Sequence, residues 1–309
     1  MAVHPFRFGA GAFNASSGAQ WTDRARQIEH LGYATLIIGD HIGSGMFGPF
    51  SALATAAAVT TTLHVGTTTF ANDFRHPAVL AKEAATLDLI SDGRFELGLG
   101  AGWAKRQYDL SGFAFDSAGT RVARLNEAVE IIHRLWSGEA VVFKGEHYRL
   151  DGLQLNPRPT RPLHMFIGGS GKRVLSMAGQ HASTAGILER MLPDGSATDA
   201  GSENLETTAA KVAWVGDAAA GRDSDVELAV LIRKVVVTDD REGAAATLAA
   251  DRRATPSGVL ASPYFLLGTI DQITAQLETL RARTGISYIS VFPADVEAFA
   301  PVVARLAGR

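Results

Sequence analysis

The stretch that decides the fold runs from Leu63 to Trp103 and reads LHVGTTTFANDFRHPAVLAKEAATLDLISDGRFELGLGAGW. It predicts a short strand, then a helix that begins at Pro77, then a second strand over Phe95–Leu99. Asp92 and Gly93 form a turn signal that ends the helix. Both strands end in polar or glycine-rich loops, and in a parallel sheet these loops would lie at the same edge. Such an edge suits a planar, phosphorylated ligand.

The bulk composition favours a protein that binds small molecules. The chain has 309 residues, a formal net charge of -3 and no cysteine. There is no basic surface for nucleic acid, and thiol catalysis, disulfides and cysteine metal sites are excluded. The first residues lack the pattern of a signal peptide, and no segment approaches the roughly 18 apolar residues of a membrane span. We therefore expect a cytoplasmic protein with neither a membrane nor a nucleic-acid partner.

A strand followed by a helix recurs along the chain, at intervals of about 30 to 40 residues, which is typical of a parallel sheet covered by helices. The expected strands cover residues 6–9, 35–38, 63–67, 95–99, 164–167, 184–187, 227–238 and 288–292. Eight such units predict a single α/β domain over residues 1–309, a (β/α)8 TIM barrel. A hairpin over 141–150 and an irregular loop over 188–204 are rim insertions. The alternative, an open doubly wound sheet, lacks its glycine fingerprint after the first strand.

The residues that follow the strands would share the mouth of such a barrel. Asp40 and His41 are candidates for an acid/base pair, with capping of the next segment as the alternative for Asp40. Trp103 is expected to form a wall of the substrate pocket, although it could serve packing alone. The histidines have no metal-ligand spacing, so we expect no metal.

The segment GGSGKR over 168–173 offers backbone N–H groups at a helix start together with two cations. That combination suits a phosphate, whereas the alternative is an ordinary glycine turn with two solvated basic residues. Thr68, Thr69 and Asn72 could donate or accept hydrogen bonds at the edge of a ring. The expected cofactor contacts are Asp40, Thr68, Thr69, Asn72, Gly100, Ala101, Gly102, Gly169, Ser170, Gly171, Lys172 and Arg173.

Five motifs together carry a resemblance to a known family. They are IGDH at 38–41, LGLGAGW at 97–103, NPRPTRP at 156–162, IGGSGKRVLSMAGQHA at 167–182 and LLGTIDQI at 266–273. The chain resembles the luciferase-like monooxygenase superfamily, in the branch that uses the deazaflavin coenzyme F420, from Phe6 through Leu306. The resemblance implies a TIM barrel, a homodimer and hydride transfer at the deazaflavin C5.

The resemblance also implies roles for individual residues. The phosphate and oligoglutamyl tail of F420 are expected near 170–173, and a non-proline cis peptide that backs the deazaflavin is expected near Thr68–Thr69. Asn72 would lie near the polar edge of the ring, and Asp40 and His41 near its reactive region. Hydride transfer depends on positioning and desolvation more than on an ionised nucleophile, which fits a pocket poor in acids and bases.

Two departures bear on the substrate. The sugar-phosphate dehydrogenases of this family carry a glutamate where Trp103 stands and a tryptophan where Gly45 stands, so we expect a different small substrate, apolar or carbonyl-bearing. Two alternatives for function stay open. One is an FMN-dependent monooxygenase supplied by a partner reductase, and the other is a flavin-binding protein without turnover, which the lid-like loop over 188–204 disfavours.

Overall fold

Strands and helices alternate along the chain in a computed structural model that describes residues 4–192, 198–199, 202–222, 225–252 and 254–309. The strands are β1 Arg7–Gly11, β2 Thr35–Ile38, β3 His64–Thr67, β4 Phe70–Ala71, β5 Phe95–Gly100, β6 Val141–Lys144, β7 Arg149–Leu153, β8 His164–Gly169, β9 Thr184–Ile187, β10 Glu227–Ile232, β11 Lys234–Val237, β12 Phe265–Gly268 and β13 Tyr288–Val291. The helices are α1 Gly18–His30, α2 Pro49–Ala58, α3 Pro77–Ile90, α4 Lys105–Ser111, α5 Ala118–Ser137, α6 Lys172–His181, α7 Leu205–Ala219, α8 Arg241–Arg252, α9 Pro256–Ala261, α10 Ile270–Thr284 and α11 Val296–Leu306.

Eight parallel strands close into a barrel. Their order is β3-β2-β1-β13-β10-β9-β8-β5, and β5 pairs back with β3 to complete the ring. The hairpin β6–β7 and the parallel pair β11–β12 lie outside it. The TIM-barrel prediction is therefore confirmed, and the doubly wound alternative is wrong because its sheet would stay open.

Local sequence explains where the helices begin. Pro77 starts α3 at a position where a missing N–H costs nothing, and the His76 side chain accepts a hydrogen bond from the Ala78 backbone at 3.2 Å. Thr269 and Gln272 form a reciprocal capping box at the start of α10. The buried faces of these helices pack on the outside of the barrel, which places the strand ends at one open rim.

The ring closes at a tight seam between β3 and β5. A Cβ atom on Gly98 would lie 1.7 Å from the Thr67 carbonyl oxygen, so only glycine lets the two strands approach. The Thr67 hydroxyl accepts from the Gly98 N–H and donates to the Gly98 carbonyl, each at 3.0 Å. Beyond this seam β3 ends, and the chain turns into the short β4 beside the end of β5.

The floor of the barrel, at the amino ends of the strands, is polar. Every barrel strand contributes one inward-facing residue to this floor network: Arg7, Thr35, His64, Glu96, His164, Thr184, Glu227 and Tyr288. Arg7 forms ion pairs with Glu96 and with Glu227, the latter at 2.7 Å. Although burial alone would raise it, the pKa of Glu96 is held well below its usual range by Arg7 and by His164.

The structure corrects several sequence predictions. The seventh strand, predicted over 227–238, is divided at Arg233 into β10, which belongs to the barrel, and β11, which leaves it to pair with β12. Helices α4, α8 and α9 and the strand β12 were not predicted, because these segments are short or rich in alanine and charged residues. Helix α7 begins at Leu205 rather than at Lys211. In the loop predicted over 188–204, residues 193–197 and 200–201 lie outside the described residues.

Within the described part of the chain, no helix is both long enough and apolar enough to cross a membrane. The same residues contain no group of three or more histidine, aspartate or glutamate side chains arranged to hold a metal ion.

Glu96→Gln should lower the free energy of unfolding by about 3 kcal/mol, because the substitution leaves the buried Arg7 with less compensating charge. Urea denaturation at neutral pH measures this loss. The difference from the parent protein should shrink as the pH falls toward the low pKa of Glu96, since a lowered pKa stabilises the fold only while the group stays ionised. Asp109→Asn, which breaks the exposed pair with Lys105, is the control and should change stability by less than about 1 kcal/mol. Equal losses in both variants would contradict the role of the floor network.

Candidate active site at the barrel mouth

The predicted site residues follow four neighbouring barrel strands and the short β4 at the carboxyl rim of the barrel, which we call the mouth. Asp40 and His41 follow β2, and Thr68 and Thr69 follow β3. Asn72 begins a short 3-10 helix after β4. The remaining predicted residues end or follow β5 and β8: Gly100, Ala101, Gly102, Trp103, Gly169, Ser170, Gly171, Lys172 and Arg173. This is the face of a TIM barrel where active sites are built.

Asp40 holds the mouth together. Its buried carboxylate accepts two hydrogen bonds from the Arg75 guanidinium, at 2.6 and 3.1 Å, and a third from the Ala71 backbone N–H at 3.2 Å. A carboxylate in a bidentate pair with arginine is fully engaged as an acceptor. The geometry therefore gives Asp40 a structural task, which is to tie the end of β2 to the segment after β4. This contact accounts for both oxygens without requiring catalysis.

His41 is half-buried at the mouth. Its Nδ1 lies 2.6 Å from the Gln107 amide nitrogen, on α4. Because that nitrogen is a donor, Nδ1 is the acceptor and the neutral ring carries its proton on Nε2. The ring also meets Trp103 edge to face, with centroids 5.9 Å apart, and 45% of Trp103 is exposed. His41 and Trp103 thus form one wall of the mouth, with a proton available on Nε2.

Thr68 and Thr69 are joined by a cis peptide bond, at the place that the family resemblance implied. The Thr69 side chain lies directly against the ends of two other strands. A Cβ atom on Gly100 would come 2.5 Å from Thr69 Oγ1, and one on Gly168 would come 3.1 Å from Thr69 Cγ2. The glycines of β5 and β8 therefore leave room for this threonine, and the three strand ends form a continuous surface.

Asn72 is almost fully buried behind the mouth. Its Nδ2 donates to the Tyr148 hydroxyl at 3.2 Å, whereas its Oδ1 has no hydrogen-bond donor among the described residues. An acceptor left unsatisfied in this way is costly, so it marks a place where a ligand donor is favoured. The neighbouring Asp73 is neutralised by Arg124 at 2.7 Å and accepts from the Tyr108 hydroxyl at 3.0 Å.

The start of α6 has the features of an anion site. Gly171 occupies the N-cap without a side-chain hydrogen bond, and a Cβ atom there would meet open space. Gly171, Lys172 and Arg173 are exposed, and neither cation forms an ion pair with a described residue. Free N–H groups, the helix dipole and two positive charges act together on an anion at this position. Gly169 and Ser170, which precede this turn, are half-buried.

Two residues of the mouth were missed by the sequence predictions. Arg233 follows β10, and its Nε lies 3.3 Å from the Oε2 of Glu189, which follows β9. Burial raises the pKa of Glu189, Arg233 opposes the rise and Glu203 adds to it, so that the pKa reaches about 7. A signal was present in the sequence, since the charged pair Arg233–Lys234 interrupts an otherwise apolar run from Leu228 to Val237.

Comparisons with known proteins agree with the architecture. A model of the family described as luciferase-like monooxygenase matches residues 1–281. An "F420-dependent glucose-6-phosphate dehydrogenase" of Nakamurella multipartita is 36% identical over 190 residues, which cover 59% of this chain and 56% of that protein. The match thus spans little more than half the length of this relative.

Two solved structures show the same fold. A coenzyme F420-dependent tetrahydromethanopterin reductase from Methanopyrus kandleri superposes with a TM-score of 0.77 at 17% identity, over 98% of each chain. The monooxygenase RslO1 from Streptomyces bottropensis gives a TM-score of 0.75 at 23% identity, over 97% of each chain.

A double-mutant cycle on Asp40 and Arg75 should give a coupling free energy of about 2 kcal/mol, because each single alanine variant leaves the other partner charged and largely buried. Thermal or urea unfolding of the parent, the two single variants and the double variant provides the four values. The matched cycle on Asp23 and Arg26, an exposed pair on α1, should stay below about 1 kcal/mol. A coupling at Asp40 no larger than that of the exposed pair would return Asp40 to the list of candidate catalytic groups.

Proposed function

Because the chain belongs to the luciferase-like monooxygenase family, we propose that it is an F420-dependent oxidoreductase that acts on a small organic substrate at the barrel mouth. The observation that carries the proposal is the exposed, uncapped start of α6 with Lys172 and Arg173 beside it. F420 bears a phosphate and an acidic tail, which are the groups that such a site attracts. The name of the Nakamurella relative supports the same cofactor.

The residues present fit a deazaflavin. The surface formed by Thr69, Gly100 and Gly168 suits the face of a flat ring, since two of its three members bring no side chain. The Asn72 Oδ1 is a buried acceptor without a donor, and a ring N–H could supply the missing hydrogen bond. The start of α6 would hold the phosphate and the tail. These three features belong to the ends of neighbouring strands, β3 to β5 and β8.

The chemistry divides between the cofactor and the chain. When bound, the deazaflavin supplies a hydride donor or acceptor at its C5. His41 holds a proton on Nε2, and we assign it to the substrate oxygen; solvent then returns a proton to the ring, so that reduction of a carbonyl consumes one hydride and, overall, one proton from solvent and yields an alcohol. Trp103 adds apolar surface on that side. Asp40 contributes indirectly, because its hydrogen bonds to Ala71 and Arg75 fix the segment that carries Thr69 and Asn72.

The substrate we propose is not glucose 6-phosphate. Trp103 presents a partly exposed indole at the mouth, and an indole cannot accept hydrogen bonds from sugar hydroxyls as a carboxylate does. Gly45, in the loop after β2, adds no side chain. Both observations favour a substrate with apolar surface next to its reactive carbon. The cytoplasm and a homodimer remain our proposals for its location and assembly.

F420 and FMN, titrated in parallel at matched ionic strength and followed by quenching of cofactor fluorescence, test the cofactor. F420 should bind more tightly, and Lys172→Ala combined with Arg173→Ala should weaken F420 by about tenfold or more while affecting FMN less, because FMN lacks the acidic tail. Lys144→Ala combined with Arg149→Ala removes the same charge from the exposed hairpin and should leave both affinities unchanged. A preference for FMN in the parent protein would instead indicate a two-component monooxygenase.

His41→Ala should lower kcat by about 100-fold with little change in the affinity for F420, because the variant loses a proton donor rather than a cofactor contact. Oxidation of reduced F420, followed with the best substrate from a panel of small ketones, provides kcat. Gln107→Ala, which removes only the partner of Nδ1, should give a smaller loss. If the two variants lose activity equally, His41 is held in place for a structural reason and the proton comes from elsewhere.

A further inference from the structure

A cation with free donors lies on the side of the mouth opposite Asp40, on the far side of β1. The Arg233 side chain is 34% exposed, and no described residue accepts a hydrogen bond from its two terminal amino groups. Its Nε lies 3.3 Å from the Oε2 of Glu189. Both Nη groups are therefore presented as a fork, the geometry that binds a carboxylate through two parallel hydrogen bonds.

One side of Arg233 is apolar and belongs to the barrel interior. Ala229 packs inside the barrel against Phe166 and Tyr288, and the two-residue period of β10 continues through Leu231 to Arg233. The guanidinium lies 5.9 Å from the ring centre of Phe292, which itself meets Phe13 edge to face at 6.0 Å. An occupant of this corner would contact aromatic surface and one cation at the same time.

Glu189 holds Arg233 in place, and it offsets the charge of Arg233 only at pH values where the Glu189 carboxyl is ionised. Only 7% of the Glu189 side chain is exposed, and its Oε1 has no donor among the described residues. The charged and titratable groups around it are Arg233, Glu203, Arg252, Lys211 and Tyr264. With a pKa of about 7, Glu189 is protonated in mild acid, where it leaves Arg233 as an uncompensated cation.

We propose that Arg233 is the substrate-recognition residue of this enzyme and that it selects a small aromatic or apolar carboxylate, with Glu189 as its positioning residue. This inference rests on the proposed function, which it extends to the class of substrate. The carboxylate binds the guanidinium fork, the apolar part packs on Phe13 and Phe292, and the reactive carbon is thereby directed toward the centre of the mouth. The cations at the start of α6 stay available for the cofactor.

Binding of benzoate, with benzamide as its neutral counterpart, tests this assignment by calorimetry at about pH 6. The parent protein should bind benzoate more tightly than benzamide, and Arg233→Gln should weaken benzoate by about tenfold or more while leaving benzamide unchanged. Arg233→Lys should restore part of the affinity, since it keeps the charge but not the fork. Equal binding of benzoate to the parent protein and to Arg233→Gln, or no binding to the parent at all, would overturn the proposal.

The pH dependence of benzoate affinity tests whether Glu189 positions Arg233 or only supports the fold. Affinity for benzoate should fall as the pH rises through about 7, because ionised Glu189 then offsets the charge of Arg233. Glu189→Gln mimics the protonated form, so its affinity should stay nearly constant from about pH 6 to about pH 7.5. Lys211, whose pKa burial lowers to about 8, stays mostly protonated over that interval. A pH profile in Glu189→Gln identical to that of the parent would contradict the role of Glu189.

Titration with F420 distinguishes a failure of this proposal from a failure of the proposed function. Arg233→Gln should bind F420 as the parent does. If it loses F420 together with benzoate, Arg233 belongs to the cofactor site and the substrate assignment is overturned. If the parent binds benzoate through Arg233 but does not bind F420, the carboxylate site stands while the proposed cofactor is wrong.

Discussion

The closure of the barrel between β3 and β5 is the constraint on which the mouth depends. Gly98 and Thr67 bring the two strands into contact, and this closure completes the ring only because no side chain intervenes at Gly98. Immediately beyond the seam the chain turns through Thr68–Thr69 into β4, against the glycine at the end of β5. A wider seam would separate Thr69 from Gly100 and Gly168, and the flat surface proposed for the cofactor ring would be lost.

Charge is distributed unevenly around the rim. On the side of β2 and β4, carboxylates and guanidinium groups neutralise one another, as in the pairs of Asp40 with Arg75 and of Asp73 with Arg124. At the start of α6 and at Arg233, positive charge is left without full compensation. Although the chain has a net charge of -3, these two places offer positive charge at the mouth, where it would attract the proposed acidic cofactor and anionic substrate over the range of the Debye length.

The sequence predicted the fold well because period and turn chemistry are local properties. The strand starts, the Asp92–Gly93 turn and the long helix α5 were confirmed at or near their predicted positions. The prediction for the seventh strand was wrong at Arg233. The apolar run continues past this residue, but the strand leaves the barrel there because Lys234–Val237 pairs with β12. No local pattern shows that Phe265–Gly268 lies beside Lys234–Val237 and draws that segment out of the barrel.

The site was harder to predict, because roles depend on partners that are distant in the sequence. Asp40 has the position of an acid catalyst, yet Arg75, 35 positions later, occupies both of its oxygens. Arg233 and Glu189 belong to separate units, and only their contact shows that one positions the other. The same logic explains why a mouth with few free acids and bases can still be selective. The hydride transfer proposed for this chain would need correct placement above all, and a rigid fork combined with aromatic surface would provide orientation without adding reactive groups beside the transferred hydride.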